Sequence, residues 1–224
     1  MKIVTLANLK GGSGKTSGAV PLAYWASRRH KTAVVDLDAS ESATQWIEAA
    51  HLASTMLGLY TIRIQDLKHT LGELEEAGFE YVFLDTPSFV EATVMRCMAV
   101  ADLVAIPVHI GTGDIGQLPR TLDLLELPMQ ANPDLKVVAY VNHGGTMKRV
   151  EQETHLALEE LSKRYPFSVM RFGIPMRTIY ATAKGRVPDG WHYQQLWNDL
   201  QARMEGKALG EFVMPGPEHG DLNA

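Results

Sequence analysis

The chain is expected to fold as an α/β protein, a mainly parallel twisted sheet with helices on both faces. Three observations predict this. Strand-like apolar runs alternate with segments of helical spacing along most of the chain. Runs such as VFLD (Val82–Asp85) and LVAIPV (Leu103–Val108) are apolar without alternation, which suits strands covered on both faces. A glycine-rich turn, KGGSGKT (Lys10–Thr16), joins the first strand to the first helix.

The elements follow in order. Lys2–Ala7 reads as a short strand and Thr16–Arg29 as a helix; Pro21 inside that helix removes a backbone donor and predicts a bend near Ser17. Further strands are expected at 33–37, 80–85, 103–108 and 136–142, with another at 167–172 and a short edge strand at Thr61–Ile64. Helical spacing covers Ser40–His51, Gln65–Ala77, Glu91–Ala101, Asp114–Leu127 and Lys148–Arg164. A last helix, about Gly190–Glu205, presents Trp191, Leu196, Trp197, Leu200 and Met204 for packing against the rest. The 224 residues suit one α/β domain over 1–205, and the Gly- and Pro-rich remainder, 206–224, is expected to be a flexible tail.

Composition narrows the function classes. No apolar run approaches the roughly 18–20 residues that span a bilayer, and no signal peptide precedes the first strand, so a membrane role is disfavoured and a cytoplasmic location expected. The single cysteine, Cys97, permits no intrachain disulfide and sits among Met95, Met98 and Val100, as a buried apolar side chain does. The histidines show no metal-binding spacing. Net charge is −5, yet Gly144–Val187 carries eight basic residues against four acidic ones. Within it Tyr165–Val187 holds Arg171, Arg177, Lys184 and Arg186 and no acidic residue, which makes this stretch the candidate anion-attracting or DNA-binding face.

The loop carries the chemistry. Gly11, Gly12 and Gly14 lack Cβ atoms and let backbone N–H groups, including those of Ser13 and Ser17, turn on a polyphosphate at the positive end of the following helix. Lys15 can reach the β and γ phosphates and Thr16 can ligate Mg²⁺. The ordinary G-x-x-x-x-G-K-[ST] pattern is nonetheless broken, because Leu9 stands where its first glycine belongs and Lys10 follows. Asp36, Asp38 and Asp85 fall at strand carboxyl ends, where such sheets gather ligands; helix capping is the plainer use of such residues. Asp85 suits a water-mediated hold on Mg²⁺.

With its second lysine, this loop resembles the deviant Walker A motif of the ParA/MinD family of ATPases. VVDLDAS (Val34–Ser40) and FLDTPS (Phe83–Ser88) resemble that family's second motif and Walker B segment, in the same order and spacing, and the likeness spans about residues 1–187. Ala39-Ser40 and Ser88 depart from the usual Pro-Gln and second proline. Within the family, it most resembles small plasmid-partition ATPases without an N-terminal DNA-binding domain. The resemblance implies slow, partner-stimulated, Mg²⁺-dependent ATP hydrolysis, with ATP or ADP as bound nucleotide. Catalytic roles fall to Lys10, Lys15 and Asp38: Lys10 reaches across an ATP-dependent homodimer and Asp38 positions the attacking water. Thr16 and Asp85 would hold the metal, with Asp36 bracing its side of the site. Asn142 suits either an adenine contact or the start of a turn, and Pro175 could line the base pocket. The implied function is DNA segregation on the nucleoid: dimers bind nonspecific DNA and a centromere-bound ParB-type partner releases them. A MinD-like membrane-positioning ATPase is disfavoured by the acidic, proline-broken C-terminus, and a metabolic ATP-dependent enzyme on this scaffold lacks a substrate motif.

Overall fold

In the computed structural model, residues 1–110, 112–144, 148–175, 186 and 190–207 are described. The central strands are Lys2–Leu6 (β1), Thr32–Asp36 (β2), Tyr81–Asp85 (β4) and Leu103–His109 (β5), with Leu57–Thr61 (β3) at one edge. Lys136–Gly144 (β6) and the two-residue strands Ser168–Val169 (β7) and Ile174–Pro175 (β8) complete an eight-stranded sheet of order β3-β2-β4-β1-β5-β6-β7, in which β8 also pairs with β6. Every described pairing is parallel. The helices are Lys15–Ser27 (α1), Ser42–Ala49 (α2), Leu67–Glu76 (α3), Glu91–Ala99 (α4), Thr112–Leu122 (α5), Glu126–Ala131 (α6), Lys148–Ser162 (α7) and Trp191–Met204 (α8).

Alternation along the strands divides the core between the two faces. Val4, Leu6, Val34, Phe83 and Tyr140 meet α1, α2 and α8 through Leu22, Trp46, Ile47, Leu196 and Trp197. On the other side Val104, Ile106 and Val141 pack with Val94, Met98, Leu118 and Leu158, and Val35, Val82 and Leu84 pack with Leu71, Leu74 and Cys97. Burial pushes the Cys97 thiol up to about 12, so it stays protonated as a small apolar group. The closing helix α8 sets Trp197 edge-on to Tyr81 and Phe83, with ring centroids 4.8 and 5.7 Å away. Trp197→Ala is expected to cost about 3–5 kcal/mol of unfolding free energy, read by urea denaturation; a cost below about 1 kcal/mol would show that α8 contributes little to the core.

Three boundaries differ from the sequence expectations. The edge strand is Leu57–Thr61 rather than Thr61–Ile64, and Ile64–Asp66 forms a 3₁₀ turn. Gly58 hides this strand from propensity, but a Cβ there would lie 2.9–3.1 Å from the rings of Tyr60 and Phe79, so glycine is what lets them close over it. The run at 167–172 shortens to Ser168–Val169, the strand Ile174–Pro175 follows beyond it, both pair with β6, and a Cβ on Gly173 between them would lie 2.7 Å from the Val141 carbonyl oxygen. The helix expected at Asp114–Leu127 is broken by a 3₁₀ turn, Asp123–Leu125, before α6. Pro128 can neither donate to the Leu124 carbonyl nor pack its ring beneath it, and the tighter turn accommodates that. α1 itself runs continuously through Pro21. The segment from 208 onward, most of the expected tail, lies outside the described residues.

Candidate functional site

The site forms where β1, β2 and β4 end side by side, with Asp85 in register with Leu6 on one neighbour and Asp36 on the other. Leaving β1, the chain is tied down before it reaches the glycines. The Asn8 side chain donates to the Pro107 carbonyl (2.9 Å) and accepts from the Lys10 N–H (2.9 Å), and the Leu9 N–H donates to the Thr121 hydroxyl (3.0 Å). Leu9, in the place of the missing glycine, is buried in the core. Asn8 and Thr121 carry no sequence signal; they act on the loop only because β5 and α5 lie beside it.

Gly12 and Gly14 have φ of +75° and +99°, and Gly14 directly precedes α1, whose first turn leaves its N–H groups aimed into the loop. Asn142, at the end of β6, is buried and donates from its amide to the Ser13 carbonyl (3.0 Å). The tertiary structure thus gives Asn142 the task of holding the loop, one that neither sequence reading contained. Pro175 is half-buried beside Gly144, two register positions from Asn142.

Lys15 is buried, and its ammonium donates to the Ser88 hydroxyl (2.8 Å) and the Lys10 carbonyl (3.3 Å). Burial holds its pKa below the usual lysine value, opposed by Asp85 and Asp38. The Thr16 hydroxyl donates to Asp85 Oδ2 at 2.7 Å. Asp85 is fully buried and its Oδ1 has no hydrogen-bond partner; burial, opposed by the Thr16 bond and reinforced by Asp36, pushes its pKa up to about 7. A buried carboxylate oxygen without a donor, next to a threonine hydroxyl at a helix N-terminus, fits a hydrated divalent cation. The opening above the loop is a cleft of about 370 Å³ whose walls include Gly12, Lys15, Thr16, Ser17, Asp38 and Ser88. Lys10 is half-exposed.

The three aspartates have different surroundings. Asp38 opens on the cleft and accepts from the Ser40 N–H (2.9 Å), which fixes the turn after β2. Asp36 is fully buried; Oδ2 accepts from the Thr44 N–H and hydroxyl (both 2.9 Å) and Oδ1 from the Asp38 N–H (3.1 Å). It thereby caps α2 from the strand below, in a helix whose own cap residue, Glu41, makes no side-chain capping bond and sits at φ +49°. That is a brace, and both of its oxygens are spent on protein donors. Thr44→Val should cost about 1–3 kcal/mol of stability, because it strips a hydroxyl from a buried carboxylate; an unchanged urea midpoint would deny Asp36 this dependence.

The basic stretch is only partly placed. Arg177 and Lys184 lie outside the described residues. Arg171 is exposed beside α7, and Arg186 is exposed while its carbonyl accepts from the Trp46 indole (2.9 Å). Arg149 and Lys163, in the wider window, pair with Glu153 (2.8 Å) and Glu160 (2.5 Å), so part of its charge excess is neutralised locally.

Known proteins are similar in sequence and in fold. The family model described as VirC1 protein matches residues 1–188. Among curated proteins the chain is similar to maintenance of carboxysome distribution protein A of Halothiobacillus neapolitanus, 24% identical over 186 residues covering 80% of this chain and 82% of that protein. It is also similar to the chromosome partitioning protein ParA of Myxococcus xanthus, 28% identical over 178 residues, 61% of this chain and 62% of that one. Among solved structures, cobyrinic acid a,c-diamide synthase from Mycobacterium smegmatis with bound ADP and magnesium superposes with a TM-score of 0.70, covering 96% of this chain and 100% of that one. At 18% identity, that likeness is one of fold.

Proposed function

Because the chain belongs to the VirC1 family, within the ParA/MinD group of partition and positioning P-loop ATPases, we propose that it is an ATP-dependent DNA-partition ATPase. In this reading two protomers close on Mg²⁺-ATP, bind DNA without sequence preference, and are released when a ParB-type partner stimulates hydrolysis. The observation that carries the nucleotide reading is the Lys15, Thr16 and Asp85 constellation at the Gly14 turn. Thr16 and Asp85 would hold Mg²⁺, Asp85 through water, and the ion would neutralise phosphate charge. The Lys15 ammonium stabilises charge on the transferred phosphoryl group, and Asp38, facing the cleft, orients the attacking water. Lys10 serves the partner protomer's nucleotide. The relatives named for ParA and for carboxysome distribution support a partition or positioning role. The exposed Arg171 and Arg186 support a DNA surface built on phosphate contacts, with affinity that falls steeply with salt.

Two measurements test this. Binding of the full chain to random duplex should be strong with ATP and weak with ADP at low salt; equal, negligible binding in both would reject the DNA role. Lys10→Ala should leave ATP bound yet reduce hydrolysis about a hundredfold or more, and a variant as active as the parent would remove Lys10 from catalysis.

A further inference from the structure

The turn after β4 places a hydroxyl on the loop lysine. Ser88 Oγ accepts from Lys15 Nζ at 2.8 Å, and Ser88 forms part of the cleft wall. The turn is pinned in that position. The next residue, Phe89, has φ of +61°, a conformation that a bulky side chain rarely adopts, and its N–H donates to the Leu9 carbonyl at 3.0 Å. Its ring lies over the loop, so that a Cβ on Gly11 would come within 3.3 Å of it. The ParA/MinD motif that this segment resembles has a proline where Ser88 stands, and proline has no hydroxyl to offer.

A charged donor bound to a fixed acceptor is among the stronger hydrogen bonds. The same ammonium is the group that a β or γ phosphate needs. We propose that Ser88 is an affinity-setting, positioning residue of the nucleotide site: its hydroxyl holds Lys15 against the β4 turn, and a phosphate chain entering the loop must draw the ammonium away. Affinity is then reduced by the fraction of molecules in which Lys15 is so held. The inference rests on the nucleotide reading above and adds to it a brake set by one side chain.

Isothermal titration of the full chain with Mg²⁺ and either ADP or a slowly hydrolysed ATP analogue tests it. Ser88→Ala should tighten both by about three- to tenfold, Ser88→Cys, a poorer acceptor of similar shape, should move the same way, and Ser88→Thr, which keeps the hydroxyl, should match the parent. Unchanged or weakened binding in the alanine and cysteine variants overturns the brake, and weakening would mean that the hydroxyl serves the phosphates instead. Equal tightening by Thr and Ala also overturns it, since the hydroxyl would then not be the cause. In each of these outcomes the parent's own binding leaves the nucleotide reading standing, whereas a parent that binds neither nucleotide overturns both.

Discussion

Gly14→Ala is expected to reduce ATP affinity by about a hundredfold or more, although it adds a single methyl group. The added Cβ would fall 1.8 Å from the Asn142 amide nitrogen and 3.0 Å from its Cγ. Asn142 cannot swing aside cheaply, because it is buried and its amide is committed to the Ser13 carbonyl. The backbone adds its own penalty, since φ of +99° lies beyond the left-handed region that other residues visit. The loop must therefore move, and with it the N–H groups proposed to bind the phosphates. Gly12→Ala supplies the control: φ is +75° but no atom lies within 4 Å of the added Cβ, so only backbone strain remains and the loss should be smaller. Calorimetric titration with an ATP analogue reads both, and equal losses would show that the Asn142 contact does not shape the loop.

Asp85→Asn is expected to separate stability from activity. The parent carboxyl is fully buried with its pKa raised to about 7 from 3.8. Between about pH 4 and 7 the folded protein keeps a proton that the unfolded chain has released, so stability falls as pH rises through that window and stays low above it. The fall from this group is on the order of 4 kcal/mol across the window. Asparagine cannot ionise and still offers an oxygen to the Thr16 hydroxyl. The variant should therefore lose less stability than the parent between pH 5 and 8, while its Mg²⁺-dependent hydrolysis drops by about a hundredfold or more for want of the carboxylate. Parallel melting curves for the two proteins across this range would contradict the raised pKa, and retained hydrolysis would move the metal-holding role elsewhere.

The different fates of these residues show what can be read in advance. The βαβ order, the covering of the sheet on both faces and the glycine turn between the first strand and helix were legible because each depends on local pattern. Apolar runs such as VFLD report burial on both sides, and three glycines around a lysine report an anion-binding turn. Asp36, Asp38 and Asp85 were likewise legible as a group, since strand ends are visible in the chain. Their division of labour was not. Asp36 became a brace because α2 folds back over β2 and offers it the Thr44 N–H and hydroxyl, whereas Asp85 kept an oxygen without a donor.

By itself, then, the sequence determined the sheet, the position of the loop on it and the residue types proposed to meet phosphate and magnesium, because hydrophobic period and glycine placement act within a few residues. Only the tertiary structure decided that Asn142, Thr121 and Ser88 hold the loop and its lysine. These partners stand 129, 112 and 73 residues from the groups they bind, and the packing of separate βα units is what brings them together.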